Sequence, residues 1–263
     1  ADAMAHNHGF LTVATVLQRE ESRDWARVSQ TERRLAATLR RRKVPALVKA
    51  YEDRDVFTGA RSLVKSYGFG PLEPNTVLLG RTGKEKRFQK FSDLIRLVHG
   101  LQRNLIVVRE TPDATHRTRG RIDVWWGGAN QNVGLMLALA FLLVRSPRWA
   151  KCRLVLKTII TRENERADAE KNMATFIDNE RLEADSEVIL RPTDQPVFDT
   201  IRDNSKGAAL VFLGLRAPLP NETPEQYCAY YSNLVSQTED MPPTAMVLAA
   251  QEVDFQSLFG IRG

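Results

Sequence analysis

Cysteine is nearly absent from this sequence of 263 residues, which has only Cys152 and Cys228, both in apolar segments. Secreted domains held together by disulfides carry many more cysteines, so we expect reduced thiols and a cytosolic setting. Long apolar runs are lacking as well. The longest covers residues 133–144, whereas a helix that spans a membrane needs about 20 residues. We therefore expect that the chain does not cross a bilayer by itself.

Reactive groups are also few. The sequence has no Gly-x-Ser-x-Gly elbow for a serine nucleophile, no His-Glu-x-x-His pair for zinc, and no histidine close to either cysteine. Of the four histidines, His6 and His8 lie near the start of the chain, and His99 and His116 stand alone. We therefore expect neither an enzyme nor a metal site.

The composition is that of a soluble globular protein, with 43% apolar and 27% charged residues. The net charge of +6 is unevenly distributed: residues 1–110 hold 21 basic and 12 acidic side chains (+9), and residues 111–263 hold 17 and 20 (−3). This asymmetry predicts a domain boundary between residues 111 and 120. The first domain, residues 1–110, is basic, and the second, residues 111–263, is slightly acidic.

Short apolar runs alternate with helical patterns along the whole chain, which predicts an α/β fold of mostly parallel sheets flanked by helices. Residues 1–8 lack a marked apolar pattern and are left outside the predicted fold. Each half contains a similar strand ending in glycine, Val77-Leu78-Leu79-Gly80 and Val211-Phe212-Leu213-Gly214, which suggests an internal duplication. The predicted strands lie near residues 10–17, 46–50, 76–79, 104–108, 122–126, 153–160, 187–190, 208–213 and 245–249.

Two helix starts have recognisable capping patterns. Ser29 and Glu32 have the spacing of a capping box, in which each side chain bonds a backbone N–H of the other residue. Residues 223–226 combine an N-cap threonine, a proline at the first helical position and a capping-box glutamine. The helix that follows is expected to bury Tyr227, Tyr231, Leu234 and Val235 on one face.

One glycine-containing turn, Gly80-Arg81-Thr82-Gly83-Lys84, follows a predicted strand, a place where backbone amides bind anions. It is not a Walker loop, because two residues instead of four separate its glycines. It is more similar to the nucleotide loop of universal stress proteins, in which a glycine and a serine or threonine follow nine residues later. Asp93 and Leu94 occupy those later positions. Gly80, Thr82 and Gly83 are therefore candidates for binding ATP, and the alternative is a plain tight turn.

A second candidate loop, Gly127-Gly128, follows the strand near residues 122–126 and leads into the apolar segment. It could hold a small anion or a nucleotide, or it could be a turn that brings the helix close to the sheet. Asn132 is the predicted N-cap of that helix.

Two basic clusters lie in the first half, and a third interpretation of the chain rests on them. Aromatic residues for stacking against bases are few among them, so we expect no nucleic-acid partner. An anionic membrane leaflet is the better candidate partner, and a solvated surface is the alternative. The clusters are Arg33, Arg34, Arg40, Arg41, Arg42 and Lys43, and Lys84, Lys86, Arg87 and Lys90.

Several strings of residues resemble the carboxy-terminal cytoplasmic domain of the cation-chloride cotransporters, which couple chloride to sodium and potassium movement. The similarity covers residues 46–250, and its best marked parts are Pro74-Asn75-Thr76 before a strand and Ile122-Asp123-Val124-Trp125-Trp126. Residues 55–60, 67–80, 173–175 and 241–244 also resemble the family. The segment 192–205 is short where eukaryotic members carry a long regulatory insertion, so a prokaryotic-type relative is indicated.

The resemblance implies two lobes like universal stress proteins, on the cytoplasmic face of the cell membrane. It implies a non-enzymatic regulatory domain of an integral membrane symporter, with the transmembrane domain of the same transporter as its partner. It also implies a homodimer, which we expect to form through apolar surface of the second lobe. The alternative is a soluble nucleotide-binding protein of the universal stress type.

Overall fold

The computed structural model describes residues 1–5, 9–19, 24–68, 73–111, 119–127 and 130–251. The strands in these ranges are β1 (Thr12–Gln18), β2 (Leu47–Asp53), β3 (Thr76–Gly80), β4 (Asn104–Arg109), β5 (Arg119–Trp126), β6 (Lys151–Ile160), β7 (Asp185–Leu190), β8 (Leu210–Gly214) and β9 (Thr244–Leu248). The α-helices are α1 (Asp2–Ala5), α2 (Trp25–Arg41), α3 (Val56–Ser66), α4 (Phe88–Gly100), α5 (Asn130–Arg145), α6 (Arg166–Asn179), α7 (Val197–Asn204) and α8 (Pro224–Gln237). All nine predicted strands are present, and the structure adds a short helix near the start.

The start of α2 differs from the prediction. Asp24 is the N-cap, and its carboxylate accepts a hydrogen bond from the backbone N–H of Arg27 at 3.0 Å. The predicted capping box of Ser29 and Glu32 is therefore wrong, because both residues lie inside a helix that already has a cap. Glu32 instead accepts a hydrogen bond from the backbone N–H of Ala50 on β2, at 2.9 Å.

The start of α8 is as predicted. Thr223 accepts a hydrogen bond from the backbone N–H of Gln226 at 3.2 Å, and the Gln226 side chain accepts one from the backbone N–H of Thr223 at 2.9 Å. This reciprocal pair satisfies two backbone donors that the first turn of a helix leaves free. The predicted inner face is also confirmed, since Tyr227, Tyr231, Leu234 and Val235 are all buried.

The strands form two sheets. β1 and β2 pair in parallel, and the other seven follow the order β3-β4-β9-β8-β5-β6-β7. In the larger sheet every pair is parallel except β4 and β9, which are antiparallel. The two strands from residues 1–110 and the five from residues 111–263 therefore run in opposite directions and meet at the β4–β9 pair. The two predicted halves share this sheet, and their division into separate domains stays a prediction.

Helix α5 is the centre of the larger apolar core. It is apolar on nearly all sides, packs on β5, β6, β8 and β9, and also contacts the short helix α1. A second core lies under α4 and α8, which contact each other beside the β4–β9 pair. Within the described ranges, no helix combines the length and the apolar content that crossing a bilayer requires.

Candidate functional site

The first predicted loop lies at the carboxyl end of β3. Arg81 donates its backbone N–H to the carbonyl of Val108 at 2.8 Å, and a single turn of 3-10 helix then leads into α4. A Cβ added to Gly80 or Gly83 would have no heavy atom within 4 Å, and neither glycine has a positive φ. The loop therefore does not require glycine at these positions, as a loop that wraps closely around a phosphate does.

The cationic side chain of this loop, Arg81, is already paired. Its guanidinium, with a side chain that is 10% exposed, makes two hydrogen bonds to the Glu239 carboxylate, at 3.1 and 3.2 Å. Arg81 also donates to the carbonyl of Val235 at 3.4 Å. The hydrogen bonds from Arg81 to Glu239 hold the pKa of Glu239 below its usual range. A phosphate bound at Gly80–Gly83 would compete with Glu239 for Arg81. The Arg81–Glu239 pair is therefore better explained as a link between the two halves than as part of a phosphate site.

The second predicted loop lies at the other end of the sheet. Gly127 follows β5 and has open space around it, and Gly128 lies outside the described residues. Because β5 runs opposite to β3, the carboxyl end of β3 and the carboxyl end of β5 lie on opposite sides of the sheet, along the strand direction. The loops of Gly80, Thr82 and Gly83 and of Gly127 therefore do not form one binding site.

Asn132 fills the position above the carboxyl ends of β8 and β9. The prediction that it is the N-cap of α5 is wrong, because α5 already begins at Asn130. Its amide donates to the carbonyl of Leu215 at 2.9 Å and accepts the backbone N–H of Ala249 at 2.8 Å. A Cβ on Gly214 would lie only 3.1 Å from the Asn132 amide nitrogen. In open α/β sheets, ligands bind outside the carboxyl ends of the strands. Here the Asn132 side chain bonds the backbone groups that follow the carboxyl ends of β8 and β9.

The loop after β8 is closed by its own charges. Arg216 makes a bidentate ion pair with Glu222, at 2.6 and 3.0 Å, and its guanidinium lies 4.3 Å from the ring centre of Tyr230. The Tyr227 hydroxyl donates to the carbonyl of Arg216 at 2.9 Å. The bonds from Arg216 lower the pKa of Glu222. This loop is therefore ordered by internal pairs and aromatic contacts.

Arginine and asparagine side chains join the two halves across the β4–β9 pair, and sequence reasoning did not identify them. Arg109 at the end of β4 donates to the carbonyls of Met241 and Pro242, the latter at 3.0 Å. At the opposite edge, Asn104 accepts the backbone N–H of Ala250 at 2.8 Å, and Arg96 donates to the carbonyl of Glu222 at 3.2 Å. The only sequence signal was the polar character of these positions beside apolar strands.

A buried cluster of charges lies between β5, β6 and β7. Asp123 and Lys157 are fully buried, and the Lys157 ammonium lies 3.7 Å from Asp123 and 2.7 Å from Glu187. Arg121 donates to the other oxygen of Asp123 at 2.7 Å, and Lys157 donates to the carbonyl of Asn204 at 2.8 Å. Burial raises the pKa of Asp123, and both cations oppose that rise. The signal in the sequence is a charged residue within each of two apolar stretches, Asp123 in β5 and Lys157 in β6.

Burial shifts the pKa of two groups of nucleophilic or metal-binding character among the described residues, Cys152 and His99. Burial raises the pKa of Cys152, which makes its thiol a poor nucleophile. Burial also lowers the pKa of His99, near the end of α4. In the part of the chain that the structure describes, histidine, cysteine, aspartate and glutamate side chains do not gather in threes that could hold a metal ion.

The predicted basic clusters lie at the surface. On and just after α2, the six basic side chains from Arg33 to Lys43 are all exposed. In the second cluster, Lys84, Lys86 and Arg87 are exposed, and Lys90 pairs with Asp55 at 3.4 Å.

Residues 1–111 match the family model of solute carrier family 12. The resemblance to the cation-chloride cotransporters is confirmed. The whole chain is similar to the cytoplasmic domain of a prokaryotic cation chloride cotransporter, at 15% identity and a TM-score of 0.63, over 95% of this chain and 88% of that one.

Two structures from Pseudomonas aeruginosa are also similar. One is a protein of unknown function, at 12% identity and a TM-score of 0.57, over 93% of this chain and 84% of that one. The other is of the universal stress protein type, with the same identity and TM-score, over 93% of this chain and 85% of that one. At these identities the structures establish the fold, an α/β architecture of mostly parallel sheets like that of universal stress proteins.

Proposed function

We propose that the chain is the cytoplasmic regulatory and assembly domain of a cation-chloride cotransporter-type membrane protein, without enzymatic activity of its own. The observation that carries this proposal is the match of residues 1–111 to solute carrier family 12, together with a fold shared along the whole chain with such a cytoplasmic domain. The ion-binding residues belong to a transmembrane domain attached to this one. Chloride-coupled cation symport is the activity of that absent domain.

The contacts described above support an assembly role. Arg81, Arg109 and Asn132 point towards the sheet ends where a ligand would bind, and each is engaged in bonds within the protein. The bonds of Arg81 and Arg109 link the two halves, and those of Asn132 lie within the second half. Such links suit a domain that holds a position beneath a membrane protein. Binding partners are therefore expected to meet its outer surfaces.

Homodimerisation through the second half is part of this proposal. Leu219, between β8 and α8, is 58% exposed, and so is Leu47 in the first half. Sedimentation velocity of the isolated chain at increasing concentration tests the dimer. Leu219→Lys is expected to weaken self-association, while the matched change Leu47→Lys leaves it unchanged. A chain that stays monomeric at high concentration contradicts this part of the proposal.

The proposal also includes contact between the exposed basic residues on and just after α2 and an anionic membrane leaflet. Each basic residue near such a surface contributes about 1 kcal/mol, and salt screens the attraction. Co-sedimentation with vesicles rich in phosphatidylserine is expected to increase as salt is lowered, and to drop when Arg40, Arg41, Arg42 and Lys43 are replaced together by glutamine. Binding to neutral vesicles is the control, and binding that does not change with salt removes this element.

Calorimetry with ATP separates the proposal from the alternative of a nucleotide-binding stress-type protein. Because Arg81 is paired with Glu239, and Asn132 occupies the edge above β8 and β9, we expect no heat at micromolar concentrations. Micromolar binding would favour the alternative. Such binding should then be lost in a variant with Arg81→Gln if the loop of Gly80 and Gly83 holds the phosphates.

A further inference from the structure

Exposed apolar side chains lie at the amino ends of β1 and β2. Phe10, two residues before β1, is 87% exposed, and Leu47, the first residue of β2, is 58% exposed. The backbone N–H of Leu47 donates to the carbonyl of Leu11 at 2.8 Å, so the two segments lie side by side. Residues 9–11 and 45–47 border one hollow, and we call them the apolar tip. Continuous exposed apolar surface is a mark of interaction sites, whereas single exposed leucines are ordinary.

The path of the chain brings a basic cluster to the same end. β1 and β2 are parallel, and α2 connects them and packs on β2, so α2 runs in the opposite direction and ends where both strands begin. The backbone N–H of Val44 donates to the carbonyl of Leu39 at 3.0 Å, which turns the chain from α2 directly into the apolar tip. The exposed cations in the last turn of α2 and just after it are Arg40, Arg41, Arg42 and Lys43.

Acidic side chains are lacking in both segments that form this end. Residues 33–51 contain seven basic and no acidic residues, and residues 3–19 contain Arg19 and no acidic residue. Lys49, farther along β2, pairs with Glu32 at 3.6 Å, but among the described residues no carboxylate pairs with the four cations beside the apolar tip. Their charge is therefore available to a partner outside the protein.

The dipole of α2 accounts for part of this pattern, because its negative end favours cations in the last turn of the helix. It explains Arg40 and Arg41, which lie in that turn. It gives no reason for Phe10 and Leu47, whose exposed apolar surface gains nothing in water. The combination of free cations and exposed apolar side chains indicates a partner that is both anionic and apolar.

An anionic membrane leaflet has both properties. Its headgroups attract lysine and arginine, and apolar side chains next to those cations can be buried at the boundary between headgroups and acyl chains. Nucleic acid fits less well, because Phe10 is the one phenylalanine, tyrosine or tryptophan in residues 3–19 and 33–47, too few for stacking against successive bases. Phe10 and Leu47 are also among the more exposed apolar side chains of the described residues, which suits a surface that yields around them.

We propose that the apolar tip inserts into the interface of an anionic leaflet while the four cations beside it bind the surrounding headgroups. This inference rests on the leaflet contact proposed above and names the part of the chain that enters the lipid. It also sets the orientation of the unit formed by β1, α2 and β2. The amino ends of the two strands face the membrane, and Trp25 and Val56, which follow their carboxyl ends, face away from it.

Binding of the chain to lipid tests the insertion. The double variant Phe10→Ser with Leu47→Ser keeps every charge, and it should bind vesicles rich in phosphatidylserine at least about tenfold more weakly than the wild type. It should also abolish the rise in surface pressure that the wild type causes beneath a phosphatidylserine monolayer. The matched control is Trp25→Ser with Val56→Ser, which changes side chains that are 66% and 44% exposed at the other end of the unit and should bind as the wild type does. Because all four positions are exposed, both variants should unfold in urea close to the wild-type midpoint.

Unchanged binding and an unchanged pressure rise in the variant of Phe10 and Leu47 would overturn the insertion, and binding that still weakens with salt would leave the leaflet contact standing. An equal loss in the control variant would overturn it as well, because the orientation would be wrong. A wild-type chain that binds no anionic vesicle at low salt would remove both the insertion and the leaflet contact, and would point to an acidic protein as the partner instead. Chloride-dependent ion uptake by the whole natural polypeptide tests the proposed function separately.

Discussion

Replacing Lys157 by methionine tests the buried charge cluster most directly. The lysine side chain is 2% exposed and holds three groups: the carboxylates of Asp123 and Glu187 and the carbonyl of Asn204. Methionine keeps most of the volume and removes the charge. Glu187 is 48% exposed and can be solvated by water, whereas Asp123 is fully buried and keeps only Arg121 as its cation.

The expected loss is about 3–5 kcal/mol in the free energy of unfolding at pH 7, the usual cost of removing one partner of a buried ion pair. The pH dependence follows from Asp123, whose pKa is raised in the folded protein above its ordinary value of 3.8. A raised pKa favours the folded state below pH 3.8, and this contribution is lost as the pH rises through the raised value. Without Lys157 the pKa rises further, and each tenfold change in proton affinity corresponds to about 1.4 kcal/mol.

Urea unfolding of the wild type and the variant at several pH values measures this loss. The loss should be largest at pH 7 and should shrink as the pH falls, because protonation removes the unpaired charge. The double variant of Lys157→Met with Asp123→Asn should recover much of the stability, and Lys206→Met, on an exposed pair with Asp203, should have no measurable effect. A loss below about 1 kcal/mol, or one that is the same at every pH, refutes the reasoning.

Two matched pairs of variants test the packing. A Cβ at Gly59 would lie 2.5 Å from a methyl group of Val16, so Gly59→Ala should lower the free energy of unfolding by about 1–3 kcal/mol in chemical denaturation. Gly83 has open space around it, so Gly83→Ala should be neutral or slightly stabilising. Equal losses in the two variants would contradict this. The Tyr227 hydroxyl donates a part-buried hydrogen bond to the carbonyl of Arg216, whereas the buried hydroxyl of Tyr231 has no partner among the described residues. Tyr227→Phe should therefore cost about 1–3 kcal/mol and Tyr231→Phe almost nothing, as thermal unfolding can show. The reverse order of the tyrosine variants would mean that the hydroxyl of Tyr231 has a partner.

The strands could be predicted from the sequence because their signal is local. Strands of a parallel sheet covered on both faces are short apolar runs between polar turns, and all nine were found in this way. The start of α8 was equally local, since Thr223 and Gln226 complete their bonds within one turn. The start of α2 was missed because Asp24 and Ser29 are both good N-caps, and only the backbone path decides between them.

The joining of the two halves could not be predicted, because it depends on pairing between distant parts of the chain. Nothing near Asn104 or Thr244 shows that β4 and β9 lie antiparallel side by side. That pairing sets the opposite directions of β3 and β5, and so separates the two loops that were considered as one kind of site. It also brings Arg81 next to Glu239.

The candidate site shows the same division between local and distant information. Glycines after a strand were visible in the sequence, but the partners of Arg81 and Asn132 lie more than 80 residues away along the chain. The charges at Asp123 and Lys157 stood out against their apolar strands. Their contact follows from the pairing of β5 and β6, which places Asp123 opposite Val155 and brings Lys157 next to the same face.

Uptake of rubidium, a tracer for potassium, by cells that express the whole natural polypeptide tests the central claim most directly. If this chain is the cytoplasmic domain of a cation-chloride cotransporter-type protein, uptake should require external chloride, and deleting residues 1–263 should reduce it or remove its regulation while the protein still reaches the membrane. Uptake that does not depend on chloride, or a natural polypeptide without membrane-spanning segments, would contradict the account.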